Sequence, residues 1–254
     1  MALEDKLRFI LFDFKGYPIQ ESIAACFNRY EMMIVQIYAI KTPEEADICL
    51  SAGVGHIGVM VGEYNRTPDE LSFDETHAVF EILSSTHPKL AATVETNLNN
   101  IERMVNAIEP DILHLSGEIT QFLPEDVQKL RRRFPDLQIM QAIPMMDVTS
   151  LDLALAYAPV CDMLLLDRKS KDAAMIGATG ATHDWQLSRT IVEQVEIPVI
   201  LAGGLSPANV AQAIEAVRPW GVDSNTHTNI PGGSWRKDRD RVERFVQEAK
   251  ATVY

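Results

Sequence analysis

Cysteine is scarce in this 254-residue chain: Cys26, Cys49 and Cys161 are scattered, with no CxxC pair. That excludes a disulfide framework and a zinc ribbon. The odd count, and acids in the first nine residues where a targeting peptide carries only bases, lead us to expect a reducing cytoplasm. Long apolar runs are also lacking, since none approaches the ~20 residues needed to span a bilayer. Positive charge is in deficit, with 23 Lys+Arg against 36 Asp+Glu and a net charge of -13. A chain so acidic disfavours nucleic acid and anionic membranes as partners. The one basic run, Arg131-Arg132-Arg133, falls near the end of a predicted helix, where it complements the helix dipole. A small anion remains an admissible ligand, because local donors rather than net charge decide its binding. Apolar residues make up 46% of the chain, which argues against disorder.

Strand-like runs alternate with helical ones. The predicted strands are Ile34–Ala39, Ile57–Val61, Leu90–Val94, Ile112–Leu115, Gln138–Ile143, Met163–Leu166, Pro198–Leu201 and Gly221–Asp223. Helical patterns follow each, the first opening on Thr42-Pro43-Glu44-Glu45, which supplies a cap, a first-turn proline and early acids. Eight strand–helix pairs in a chain of this length predict an α/β fold, a (β/α)8 TIM barrel over residues 33–254. Residues 1–32 read as an N-terminal strand–helix extension, placed to cap the barrel, mediate a homodimer or reach over the mouth.

In such a barrel the residues just after each strand face one mouth. Here they include Tyr38, Glu95, His114, Asp167, Gly203-Gly204 and Asp223-Ser224-Asn225. An acid directly after an apolar strand is costly unless it is paired or used, so Asp167 is the first catalytic candidate, with a structural cap or salt bridge as the alternative. Gly203 and Gly204 allow close backbone approach to an anion ahead of a helix start, and barrels commonly hold a phosphate after strands seven and eight.

The wording of this region is specific. Leu164-Leu165-Leu166-Asp167, then GATGATHDW over 177–185, PVILAGGLSPANVAQAI over 198–214 and Gly221-Val222-Asp223 resemble phosphoribosylanthranilate isomerase, whose text reads LLD, GGTGxxFDW, PxxLAGGLxPxNVxxAI and GVDxSSG. The resemblance implies a general acid at Asp167 acting on a ribose ring oxygen. It implies a phosphate held by Gly203, Gly204, Asn225, Thr226 and His227, and substrate contacts from Arg66, Thr179, Gly180 and Asp223. The chain departs from the family after strand eight, where Asn225-Thr226-His227 stand for its Ser-Ser-Gly, and at three positions elsewhere. The family's first strand reads K-x-C-G with the cysteine as base, where this chain has Gln36-Ile37-Tyr38-Ala39. Its Q-L-H-G appears as His114-Leu115-Ser116-Gly117, and Glu95 stands where Asn is common. Tyr38, His114 and Glu95 are therefore the candidates for the base, with binding or structural roles as alternatives.

Three functions follow from these residues. One is Amadori-type isomerisation of a phosphorylated aminosugar with no cofactor. Another is an epimerase, lyase or hydrolase on another phosphorylated or acidic sugar derivative; a divalent metal held by Asp167, Glu95 and His114 would favour its epimerase or lyase form. The third is a non-catalytic small-ligand binder.

Overall fold

The computed structural model describes residues 33–63, 67–168, 183–232 and 235–252. Eight parallel strands form its centre: β1 (Ile34–Ile37), β2 (His56–Val61), β3 (Lys89–Thr93), β4 (Ile112–Leu115), β5 (Gln138–Pro144), β6 (Met163–Asp167), β7 (Val199–Leu201) and β8 (Gly221–Ser224). Each pairs with the next, and β1 pairs with both β2 and β8, so the sheet closes into a barrel. Helices α1 (Pro43–Ala52), α2 (Phe73–Phe80), α3 (Leu98–Ile108), α4 (Pro124–Arg133), α5 (Thr149–Tyr157), α6 (Trp185–Gln194), α7 (Val210–Val217) and α8 (Arg239–Ala251) follow the strands in order. The predicted α/β barrel is what forms. The expected extension, residues 1–32, lies outside the described residues.

Local chemistry explains the helix starts. Thr42 accepts a hydrogen bond from Glu45 N ahead of Pro43, Asp184 Oδ1 accepts from Gln186 N at 2.8 Å, and Asp238 caps α8. Such a cap contributes about 1 kcal/mol. The sequence pattern predicts helices over Pro207–Val217 and Lys237–Ala251, and both begin later. Pro207 sits in a turn, not in α7, because Asn209 Oδ1 accepts from Ser206 N at 2.8 Å and Asn209 itself is non-helical. Lys237 precedes α8 because it bridges back to Asn229. Among the described residues, no helix is long and apolar enough to cross a membrane.

The strand period of two sends Tyr38, Met60, Leu90, Ile112, Met140, Leu165 and Ile200 into one interior cluster. Register sets the polar layer near the mouth. Gln36 lies opposite Asp223 on one side and His56 on the other, so three polar residues share one level inside the barrel. Tyr38 needs room, and β2 supplies it at Gly58: a Cβ there would lie 2.6 Å from Tyr38 Cε1. Gly58→Ala is expected to lower stability by about 1–3 kcal/mol through overpacking, read as a reduced denaturation midpoint; an unchanged midpoint would show that the ring moves aside freely. The next residue, Ala39, is held at φ 60, a left-handed conformation that glycine adopts more easily.

Candidate active site

At the C-terminal ends of the strands lies a cavity open to solvent. Tyr38, His114, Asp167, Asp223 and Asn225 line it, as expected from sequence, together with Asp69 and Ser116. Residues in or just after β1, β4, β6 and β8, far apart in sequence, thus face one space.

The two central carboxyls are unusually weak acids. Asp167 accepts a 2.6 Å hydrogen bond from Arg168 N, yet burial pushes its pKa up to about 7. Burial also raises Asp223, to about 8, with the charge of Asp167 adding to the effect and the Gln36 hydrogen bond opposing it. Two adjacent carboxyls in low dielectric resist ionising together, so the pair retains a proton near neutral pH. Asp223 is also oriented. Gln36 Nε2 donates to its Oδ1 at 3.2 Å, and His56 Nδ1 lies 3.1 Å from Gln36 Oε1. Burial lowers His56 to about 4, keeping it neutral, and an N–H at Nδ1 fixes which way the Gln36 amide points.

Across the cavity Tyr38 Oη lies 2.6 Å from His114 Nδ1. Both side chains are buried. Burial raises the Tyr38 phenol well above its ordinary value and lowers His114 to about 3, so both are neutral at rest. His114 Nε2 is buried without a hydrogen-bond partner among the described residues, a condition that costs about 1–3 kcal/mol.

The glycine corner after β7 has left-handed backbone at Gly203 and Gly204, φ 83 and 67. A Cβ on Gly203 would come within 2.8 Å of His183 Nδ1 and 3.2 Å of Asp167 Oδ1. The corner therefore abuts the acid. After β8, Thr226–Thr228 form a single 3-10 turn containing His227. Buried Lys237 ties this loop down: its Nζ donates to Asn225 O and Oδ1, each at 3.2 Å, and to Asn229 Oδ1 at 2.7 Å.

Glu95 lies elsewhere. Its carboxylate accepts from Thr96 N and Asn97 N, each at 2.8 Å, and from Asn100 Nδ2 at 2.9 Å. It lines a separate cavity with Glu63, Phe73 and Arg103, so Glu95 and His114 do not share the central one. Among the described residues, no group of three or more His, Cys, Asp or Glu is disposed to hold a metal ion. Arg66, Thr179 and Gly180 lie outside the described residues.

Sequence reasoning missed Asp69, Ser116, Gln36 and Lys237. Gln36 was within reach, since it precedes Tyr38 by two residues and so shares its face of β1. Asp69 stands in an aperiodic loop beside a two-residue strand, Glu70–Leu71, and Lys237 in a charged stretch; neither position carries a pattern.

Comparison with known proteins agrees with the barrel fold. The family model of N-(5'-phosphoribosyl)anthranilate isomerase matches residues 62–248. The chain belongs to the phosphoribosylanthranilate isomerase family. It is 34% identical over 212 residues to the isomerase of Haloferax volcanii, covering 82% of this chain and 89% of that one. It is 31% identical over 221 residues to that of Methanocella arvoryzae, covering 87% and 100%. Its fold is similar to phosphoribosylanthranilate isomerase from Thermotoga maritima, with TM-score 0.72 at 24% identity over 87% of this chain and all of that one. Another solved family structure, in complex with reduced 1-(o-carboxyphenylamino)-1-deoxyribulose 5-phosphate, gives TM-score 0.70 at 22% identity, with coverage of 87% and 100%. Tyr38, just after β1, and His114, in β4, are in direct contact.

Proposed function

We propose that this protein is a phosphoribosylanthranilate isomerase. It would open the furanose ring of N-(5'-phosphoribosyl)anthranilate and rearrange it to 1-(o-carboxyphenylamino)-1-deoxyribulose 5-phosphate. The observation that carries this reading is Asp167, a strand-end acid at the family position, buried in the cavity with its pKa raised to about 7. A carboxyl so placed is protonated when the ring oxygen needs a proton. Ring opening turns the N,O-acetal carbon into an iminium and acidifies C2–H; loss of that proton gives an enolamine, which ketonises. Every step is a proton transfer, so the residues of the mouth suffice without a cofactor.

Asp223, with Arg66, Thr179 and Gly180, is assigned to the sugar and aglycone. Gly203, Gly204, Asn225, Thr226 and His227 are assigned to the phosphate, whose charge the backbone of the glycine corner suits. Of the candidate bases, Tyr38 and His114 face the cavity, whereas the Glu95 carboxylate is engaged at the start of α3. The buried thiols of Cys49 and Cys161 suit the cytoplasm. A homodimer belongs to the same reading, since a Thermotoga maritima relative is described as dimeric.

Two measurements test this function. The chain is expected to restore growth of a tryptophan auxotroph lacking the isomerase, and the purified protein to consume N-(5'-phosphoribosyl)anthranilate. Folded, well-expressed protein that does neither would sink the assignment and leave only the barrel.

A further inference from the structure

The isomerisation needs a base for C2, and neither cavity-facing candidate serves alone. The Tyr38 phenol stays protonated at neutral pH. His114 offers Nδ1 only towards Tyr38, whose Oη occupies that nitrogen at 2.6 Å. The contact is a built one. The tyrosine ring fills the space left by Gly58, and its centroid lies 5.2 Å from that of the imidazole, tilted by 49°. The pair lines the same cavity as Asp167 and Asp223. The imidazole nitrogen facing away from Tyr38 is buried without a partner among the described residues, and such unmet groups call for an explanation.

Resting on the isomerase reading, we propose that Tyr38 and His114 act as one base: Tyr38 Oη takes the C2 proton of the ring-opened substrate as it passes its own phenolic proton to His114 Nδ1. The C2–H bond breaks, its electron pair becomes the C1=C2 bond, and the imine π pair moves onto nitrogen. An O–H bond forms at Tyr38 and an N–H bond at His114. No free phenolate arises. The positive charge leaves the iminium and appears on the imidazolium, so the net charge of the cavity is unchanged and burial adds little new penalty. By then Asp167 has given its proton to the ring oxygen, and its carboxylate favours the imidazolium across the cavity. When the enol ketonises, the imidazolium proton returns through Tyr38 to C1 and the enol hydroxyl proton goes to Asp167. Both groups are reset, and substrate and product keep the same formula. Tyr38 is thus the catalytic residue, and His114 acts through it.

The test uses the full chain with N-(5'-phosphoribosyl)anthranilate as substrate and reduced 1-(o-carboxyphenylamino)-1-deoxyribulose 5-phosphate as a non-reacting ligand. Tyr38→Phe removes one oxygen and keeps the ring against Gly58; His114→Gln removes the relay. Each is expected to lower kcat by about 100-fold or more, the scale of lost general-base catalysis, while affinity for the non-reacting ligand stays within about threefold. The double variant is expected to be no slower than the worse single one, because halves of one unit do not add. Tyr38→Cys, whose thiol is ordinarily a stronger acid than a phenol, is expected to recover much of the activity lost in Tyr38→Phe and to make it less sensitive to His114→Gln. Tyr38→Phe turning over at the wild-type rate would overturn the proposal, as would single-variant losses that multiply in the double variant. Wild-type protein that binds the ligand but yields no product would overturn the isomerase reading and the pair with it; those two outcomes are distinguishable because the first requires a working wild type.

Discussion

Asparagine in place of Asp167 is expected to cut turnover by about 10²–10⁴-fold, the range for loss of a positioned acid. The amide keeps the shape of the carboxyl and leaves Arg168 N an acceptor, so folding and ligand affinity should change little. What it lacks is a proton to give to the departing ring oxygen. The same argument fixes a pH profile. Asp167 donates only while protonated, and its pKa is about 7, so wild-type kcat should hold below that value and fall as pH rises through it. Asp223 weakens the fall by holding part of the shared proton, since the two carboxyls repel each other's charge. Turnover measured from pH 5.5 to 9 checks both points. A flat alkaline limb, or an asparagine variant within tenfold of wild type, would remove Asp167 from the acid role.

The second large effect is on stability, and it opposes activity. Asp223 has its pKa raised from 3.8 to about 8 in the fold. A carboxyl raised in the folded state binds its proton more tightly there than in the unfolded chain. Its contribution is therefore fully present below about pH 4 and is lost as pH rises towards about 8. At ~1.4 kcal/mol per pKa unit this bounds the loss near ~6 kcal/mol, and water entry and relaxation reduce it to a few. Asp223→Asn removes the loss. It should match wild type near pH 4 and be more stable by a few kcal/mol near pH 9, with impaired turnover at both. Denaturant melts across that range measure the difference directly. A stability gap independent of pH would show that Asp223 is ionised without strain. The opposition has a plain cause: a site that keeps carboxyls protonated at neutral pH must bury them.

How much of this was legible in the sequence depends on which signal each residue carried. Asp167 ends a run of three leucines and was found by position alone. His114 and Tyr38 were found as strand-end polar residues, but nothing in their spacing said that they touch; they are 76 positions apart. Glu95 gave the same strand-end signal as His114. Three hydrogen bonds to its carboxylate at the opening of α3 separate it from the central cavity, and a strand-end rule does not distinguish a side chain that turns inward from one that turns back to cap its own helix. Gln36 carried a usable period-two signal, whereas Lys237 carried none, because its burial depends on a loop folding back onto Asn229.

The sequence by itself determined the barrel, its eight strand–helix pairs and the strand ends from which the site is drawn, because alternating apolar patterns and caps act over a few residues and are written locally. Only the tertiary structure decided which of those strand-end groups meet. Contact between Tyr38 and His114, the weakening of Asp167 by burial and the repulsion it shares with Asp223 all depend on closure of the sheet, which brings distant strands to within hydrogen-bond range and excludes the water that would otherwise screen them.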